Sequence, residues 1–287
     1  MNRVIYSLYI DVPEKEHFGN SSFKGDTAAR GLKTRNAFKE HYQRLIDSKK
    51  KYADRIGASF HMYEYDKDYK TFSDNLLKDF PFLTGYEIVN FYKIHLLYVL
   101  AKKYEEILYL DFDAIPVTTD NFFEAWDLTK GICVYNNNAM INKMNMTIDK
   151  IAHGIRSPTS KYYNAQAMLM EKNLSPINKV INTGIIGANK EHIDKLKYFD
   201  NFDNDIETMK NLTTNYDVFP KKIVDFFGYD NETLFSVKLN EHNVPVQWLD
   251  NQWHYFFDKT QFIPKGTKLI HTINKRFDIV WRFHKDA

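Results

Sequence analysis

Cysteine is nearly absent from this chain. Cys133 is the single one, so no disulfide can form within the chain and no zinc cluster can be built on thiolates. A reducing compartment is the natural setting, and the expected location is cytoplasmic. Long apolar runs are also missing. The longest, "IHLLYVLA", is far too short to span a bilayer. Neither sign of charge dominates: 39 Lys and Arg stand against 37 Asp and Glu, a formal net charge of +2. That balance excludes bulk attraction to nucleic acid or to a membrane surface, while leaving local basic residues free to hold a small anion. The start, "MNRVIYSLYIDVPEKE", has one Arg, a short apolar run cut by Asp11 and Pro13, and no small-residue cleavage site. It reads as a strand and not as a signal peptide. Asn-X-Ser/Thr triplets such as Asn20-Ser21-Ser22 are therefore expected to be unused. Internal repeats, low-complexity tracts and linkers are absent, which favours one domain over residues 1–287.

Apolar residues, by contrast, make up 44% of the chain and support a substantial core. Aromatics reach 16%, a share that suits stacking grooves as well as ordinary core. A first strand is expected at 3–10, followed by a polar loop at about 14–33. Apolar residues at helical spacing from Thr34 to Ile56 predict a helix with Lys49, Lys50 and Lys51 mostly on its solvated face. Gly57 stops it. "SFHMYEY" reads as a second strand. A short helix and a stronger helix at 85–103 lead to the strand "ILYLDFDAIPV". "TTDNFFEAW" predicts a short helix capped by Thr119 or Asp120, and "GICVYN" another strand. Residues 136–175 are the least periodic part and read as an insertion covering a cleft. Then follow a buried strand "KVINTGIIGAN", a helix at 190–198, an irregular acidic stretch, a helix at about 230–241, and strands "VPVQWL" and "TKLIH". Strands alternating with helices, several of them continuous apolar runs, predict an α/β fold with a mostly parallel sheet flanked by helices.

Five features could carry chemistry. Asp111 and Asp113 end the apolar run "ILYL", where open α/β sheets place their ligands. Two carboxylates this close resist joint ionisation unless a cation joins them, and hard oxygen donors suit Mg²⁺ or Mn²⁺. The plainer reading is a wet acidic turn. Lys93 lies in an apolar stripe with Val89, Leu96, Leu97 and Leu100, so its ammonium must snorkel or meet an anion such as phosphate. His271 closes the last predicted strand and could complete an Asp–Asp–His metal set, with Lys275 and Arg276 beyond it for phosphate oxygens. "INTGIIG" sets Asn182 and Gly184 in a buried strand, marking either close ligand approach or a packed bulge. "GYDNETLF" carries Asp230 and Glu232 at a helix start, as cap and dipole partner or as sugar ligands or a base.

In order and spacing these pieces resemble the metal-dependent glycosyltransferases of the GT-A fold, and most closely the glycogenin and lipopolysaccharide galactosyltransferase family. Lys93 in "FYKIHLLYVL" is similar to that family's basic residue before the metal strand. "LYLDFDAIPV" resembles its metal motif, "INTGII" its Asn-Ala-Gly strand, "DNETLF" its Asp-Gln-Asp helix start, and "LIH" its late metal-binding histidine. The resemblance implies a Rossmann-like GT-A domain, with 1–135 mainly binding nucleotide and 136–287 mainly binding sugar and acceptor. It implies metal ligands Asp111, Asp113 and His271. Ser7, Tyr9, Lys93, Phe112, Thr183, Gly184, Asn231 and Lys275 would contact the nucleotide sugar, and Asn182, Asp230 and Glu232 would serve catalysis. Departures are clear: "HTINKRFDIVW" lacks the family's Gly and Lys-Pro-Trp, Asn231 replaces Gln, and "YSLYID" is not a clean match.

The implied reaction is transfer of a sugar from a UDP-sugar to a hydroxyl of a glycan acceptor, dependent on Mn²⁺ or Mg²⁺, with a lean to retention of configuration. The rival enzyme is a phosphohydrolase of the haloacid-dehalogenase type, whose first motif is also D-x-D. That motif needs a Thr two residues after the second Asp, where this chain has Ile115. A sugar-binding module without catalysis is the third class.

Overall fold

In the computed structural model, residues 2–12, 28–137, 158–214, 228–257 and 262–285 are described. The predicted polar loop and the central part of the predicted insertion therefore lie largely outside the described residues. The first half holds β1 (Arg3–Leu8), α1 (Ala28–Arg55), β2 (Ser59–Tyr63), α2 (Lys67–Asp79), α3 (Gly85–Ala101), β3 (Glu106–Leu110), β4 (Ala114–Pro116), α4 (Phe122–Ala125) and β5 (Ile132–Asn136). The second holds α5 (Pro158–Glu171), β6 (Ile181–Asn189), α6 (Lys190–Leu196), α7 (Phe202–Leu212), α8 (Asn231–Glu241), β7 (Val246–Leu249), β8 (Tyr255–Phe256), β9 (Leu269–His271) and α9 (Phe277–Phe283).

Six strands form one sheet in the order β2-β1-β3-β6-β5-β7, so both halves of the chain share it. Alternation along the strands divides the core in two. Val4, Tyr6, Ile107 and Tyr109 join the layer containing α3, while Ile5, Leu108 and Leu110 join the layer containing Tyr52 of α1. Helices thus cover both faces, as the apolar runs predicted. α3 starts at a capping box: Glu87 N–H donates to Thr84 Oγ1 at 3.3 Å, and Thr84 N–H donates back to Glu87 Oε2 at 2.7 Å.

The sheet is mostly parallel, with one reversal. β1 pairs in parallel with β2 and β3, and β5 with β7, but β6 runs antiparallel to both β3 and β5. A buried apolar run fixes a strand without fixing its direction, which is why "INTGIIGAN" gave no sign of this. "LIH" does not belong to the main sheet either. It is β9, which pairs with β4 and β8 in a separate three-stranded sheet.

Two local expectations need correction. The cap of α4 is Asn121, whose Oδ1 accepts the Phe123 N–H at 3.0 Å, and not Thr119 or Asp120. The stretch read as irregular contains α7, whose Phe202, Ile206 and Met209 are buried at helical spacing. Among the described residues, no helix is long and apolar enough to cross a membrane.

Candidate active site

β3 delivers Leu110 into the core, and the chain turns immediately after it. Asp111 N–H donates to Gly184 O at 2.7 Å, and Ala114 N–H closes the turn on Asp111 O at 2.8 Å. Asp111 and Asp113 therefore meet through a turn. The small sheet supplies the third group. Ala114 in β4 is the register partner of His271 in β9, and Thr272 N–H donates to Asp113 O at 2.9 Å. This register places the imidazole beside both carboxylates. His271 Nε2 lies 3.4 Å from Asp113 Oδ1 and 3.6 Å from Asp111 Oδ2.

Ligand atoms of Asp111, Asp113 and His271 lie within 4.8 Å of one another. Two hard carboxylates and an imidazole nitrogen suit Mn²⁺ or Mg²⁺. Gly184 also fits the arrangement. A Cβ there would stand 2.4 Å from Cε1 and 2.7 Å from Nδ1 of His271, so the imidazole occupies the space that a side chain would fill.

Two lysines balance the carboxylates. Lys93 is buried, with Nζ 3.5 Å from Asp111 Oδ1 and 5.4 Å from the centre of the Tyr109 ring. It reaches inward to an anion and does not snorkel. Tyr109 OH donates to the same Asp111 oxygen, and Tyr6 OH donates to Lys93 O at 2.6 Å. Lys275 pairs with Asp113 Oδ2. Burial pushes the Asp113 carboxyl up, but Lys275 and then His271 outweigh it and hold the group well below the usual carboxylate range. Lys275 itself has φ +60°, a left-handed conformation uncommon outside glycine.

The turn has a further support that helical spacing did not reveal. Lys49, expected on the solvated face of α1, is fully buried. Its Nζ donates to Phe112 O at 2.8 Å and to Leu45 O at 3.2 Å. Burial lowers its pKa to about 7, with Asp113 and Asp111 pulling the other way. Phe112 is buried and stacks on Tyr9, with ring centres 4.9 Å apart and planes 20° apart. Tyr9 also meets Phe38 and Tyr42, and burial raises its hydroxyl to about 12. Ser7 is fully buried in β1, and its hydroxyl has no hydrogen-bond partner among the described residues.

The catalytic candidates form a second cluster. Gly184 N–H donates to Asn182 Oδ1 at 3.0 Å. Thr183 donates to Glu232 Oε1 twice, from N–H at 2.7 Å and from Oγ1 at 3.1 Å, while Asn231 Nδ2 donates to Thr183 Oγ1 at 3.0 Å. Asp230 caps α8 by accepting Glu232 N–H at 2.8 Å. Lys161 of α5 pairs with Glu232 and lies 3.6 Å from Asp230 Oδ2. Burial raises the Asp230 carboxyl, with Lys161 opposing it. Burial also works against the Glu232 anion, but Lys161 and then Lys93 outweigh it and keep the group charged. Lys161 carried no sequence signal, because the stretch around it has no clear periodicity.

His254 is the other residue missed. It lies in "NQWHY", fully buried, with Nε2 3.0 Å from His271 Nδ1. Burial, and then the neighbouring His271, holds its imidazole well below the usual range, so the ring is neutral.

No protein-family model and no curated protein matches the chain. Solved structures do match. Mouse xyloside xylosyltransferase 1 aligns at 12% identity over 95% of this chain and 98% of that one, with a TM-score of 0.48. A glycosyltransferase involved in glycosylation of the major capsid of PBCV-1 aligns at 12% identity over 98% and 100%, also with a TM-score of 0.48. The galactosyltransferase LgtC, solved with donor and acceptor sugar analogues, aligns at 11% identity over 94% and 87%, with a TM-score of 0.46. All three are glycosyltransferases, the class that the sequence resemblance names.

Proposed function

We propose that the protein is a metal-dependent glycosyltransferase that moves a sugar from a UDP-sugar to a hydroxyl of a glycan acceptor. The observation that carries the reading is the convergence of Asp111, Asp113 and His271 between Lys93 and Lys275. Two carboxylates and two ammonium groups cancel, so a divalent cation bound there leaves the cluster with the cation's own positive charge. A diphosphate is the natural complement of such a site. Bound between the carboxylates and the imidazole, Mn²⁺ or Mg²⁺ would supply charge neutralisation for a leaving nucleoside diphosphate.

The residues divide the remaining work. Lys275 exchanges Asp113 for a phosphate oxygen when donor binds, and Lys93 holds Asp111 in place from the core side. Tyr9 and Phe112 form the aromatic wall on which the nucleotide rests, with residues 1–135 contributing most of that half. Ser7 lies buried in β1, two residues before Tyr9, in the same nucleotide half. Asn182 offers its amide nitrogen to a sugar hydroxyl, since its oxygen is committed to Gly184. Thr183, Gly184 and Asn231 set the floor of the sugar pocket. Residues 136–287 contribute most of the sugar and acceptor half.

The lean to retention of configuration comes from the family resemblance. An inverting enzyme needs a free general base beside the acceptor. Glu232 is held by Thr183 and Lys161, so it serves to fix the pocket, and Asp230 is the carboxylate left to face the sugar. The phosphohydrolase reading finds no support, because Ile115 is a buried strand residue where a hydroxyl is required. Hydrolysis of UDP-Gal, UDP-Glc, UDP-Xyl and UDP-GlcNAc with and without Mn²⁺ tests the proposal. Mn²⁺-dependent release of UDP from one donor supports it. Phosphate release from generic phosphomonoesters without UDP release overturns it.

A further inference from the structure

His254 stands behind the proposed metal ligand and is not part of the ligand set. Its place is rigidly fixed. Asp250 Oδ1 accepts the N–H groups of Gln252 at 2.9 Å and Trp253 at 3.0 Å, and His254 N–H donates to Asp250 O at 3.0 Å. Trp253 is buried edge-on against Phe122, with centres 5.4 Å apart. Around the imidazole lie Tyr135 and Phe256, with ring centres 4.9 and 4.5 Å away. The turn and the rings together aim Nε2 at His271 Nδ1, 3.0 Å away.

Only one of those two nitrogens can carry the shared proton. If it sits on His271 Nδ1, His271 Nε2 is a bare lone pair facing Asp111 and Asp113, the form a metal requires. If it sits on His254 Nε2, then a neutral His271 carries its proton on Nε2 and donates toward the carboxylates. His254 Nδ1 has no hydrogen-bond partner among the described residues. Nothing there therefore fixes the tautomer of His254, and the ring can accept from His271 or donate to it.

We infer that His254 is a positioning residue that selects the metal-binding tautomer of His271, with His254 Nε2 accepting the Nδ1 proton when a divalent cation occupies the site. The inference rests on the metal reading proposed above. An outer partner of this kind usually contributes about 10–100-fold to metal affinity.

The test is Mn²⁺ binding followed by the electron paramagnetic resonance of free Mn²⁺, with no sugar nucleotide present. Wild type, His254→Gln and His254→Phe are compared, with thermal melting to confirm folding. Gln keeps an oxygen that can accept from Nδ1, whereas Phe keeps the shape without it. The expected result is binding by wild type, binding within a few-fold by His254→Gln, and a loss of about 10–100-fold in His254→Phe. Equal binding by wild type and His254→Phe overturns the role of His254 and leaves the metal reading standing. No binding by wild type overturns the metal reading and the inference with it. If His254→Phe does not fold, ¹⁵N-histidine NMR of the wild type with Mg²⁺ decides. Both rings protonated on Nδ1 at saturating Mg²⁺ support the inference, and His254 protonated on Nε2 overturns it.

Discussion

The imidazole of His271 fills the space where a side chain of residue 184 would be. An added Cβ on Gly184 would come within 2.4 Å of His271 Cε1 and 2.9 Å of Asn182 Oδ1. Gly184→Ala must therefore displace the imidazole or bend β6. Overpacking of this kind costs about 1–3 kcal/mol. A ligand misplaced by a fraction of an ångström should also weaken Mn²⁺ binding by at least about 10-fold. Melting curves and Mn²⁺ titration of the variant check both outcomes together.

Lys275 gives a prediction with opposite signs for two ligands. In the structure it pairs with Asp113, where a bound cation would compete with it. In the proposed reaction it moves to phosphate. Lys275→Met should bind Mn²⁺ alone more tightly than wild type. The same variant should bind UDP in the presence of Mn²⁺ about 10-fold or more weakly, the usual effect of losing a charge-assisted hydrogen bond. Calorimetric titrations with each ligand separate the two effects.

Lys49 makes stability depend on alkaline pH. Its pKa falls from 10.5 in the unfolded reference to about 7 in the folded chain. Between those values the unfolded chain binds more protons, so the contribution of this group to stability rises with pH. Below pH 7 the ammonium is charged in both states and its burial cost is fully present. Urea unfolding at pH 7, 8, 9 and 10 should show wild type gaining on Lys49→Met as the pH rises. A constant difference between the two would contradict the assignment.

Lys161 pairs with both Asp230 and Glu232 at the edge of the proposed sugar pocket. Burial works against its ammonium, but Asp230 and then Glu232 more than offset this and hold it charged. Lys161→Met leaves two carboxylates facing each other and should cost up to about 3 kcal/mol. Adding Glu232→Gln should recover part of that loss, because the pair is coupled. Denaturant unfolding of the single and double variants measures the coupling directly.

The convergence of Asp111, Asp113, Lys93 and His271 was largely legible in the sequence, and its neighbours were less so. Asp111 and Asp113 stood out because they end a fully apolar strand, and Lys93 because it interrupts an apolar helical stripe. His271 stood out as a polar residue closing the strand "LIH". Each of these is a break in a local pattern. The partners that hold them follow from tertiary packing instead. Lys49 is one of three successive lysines, and only the approach of the Phe112 carbonyl separates it from the other two. His254 sits among aromatics in "NQWHY", and its value comes from a histidine 17 positions later. The reversal of β6 was hidden for the same reason, since apolar content is independent of strand direction.

The central claim is that Asp111, Asp113 and His271 hold the cation on which sugar transfer depends. The direct measurement is UDP release from a UDP-sugar by wild type and Asp113→Ala, each after EDTA treatment and after adding Mn²⁺ back. The account predicts that EDTA abolishes release by the wild type and that Mn²⁺ restores it. Asp113→Ala should stay at least about 100-fold below wild type at saturating Mn²⁺. Release by Asp113→Ala at the wild-type rate, or wild-type release that is indifferent to EDTA, would contradict it.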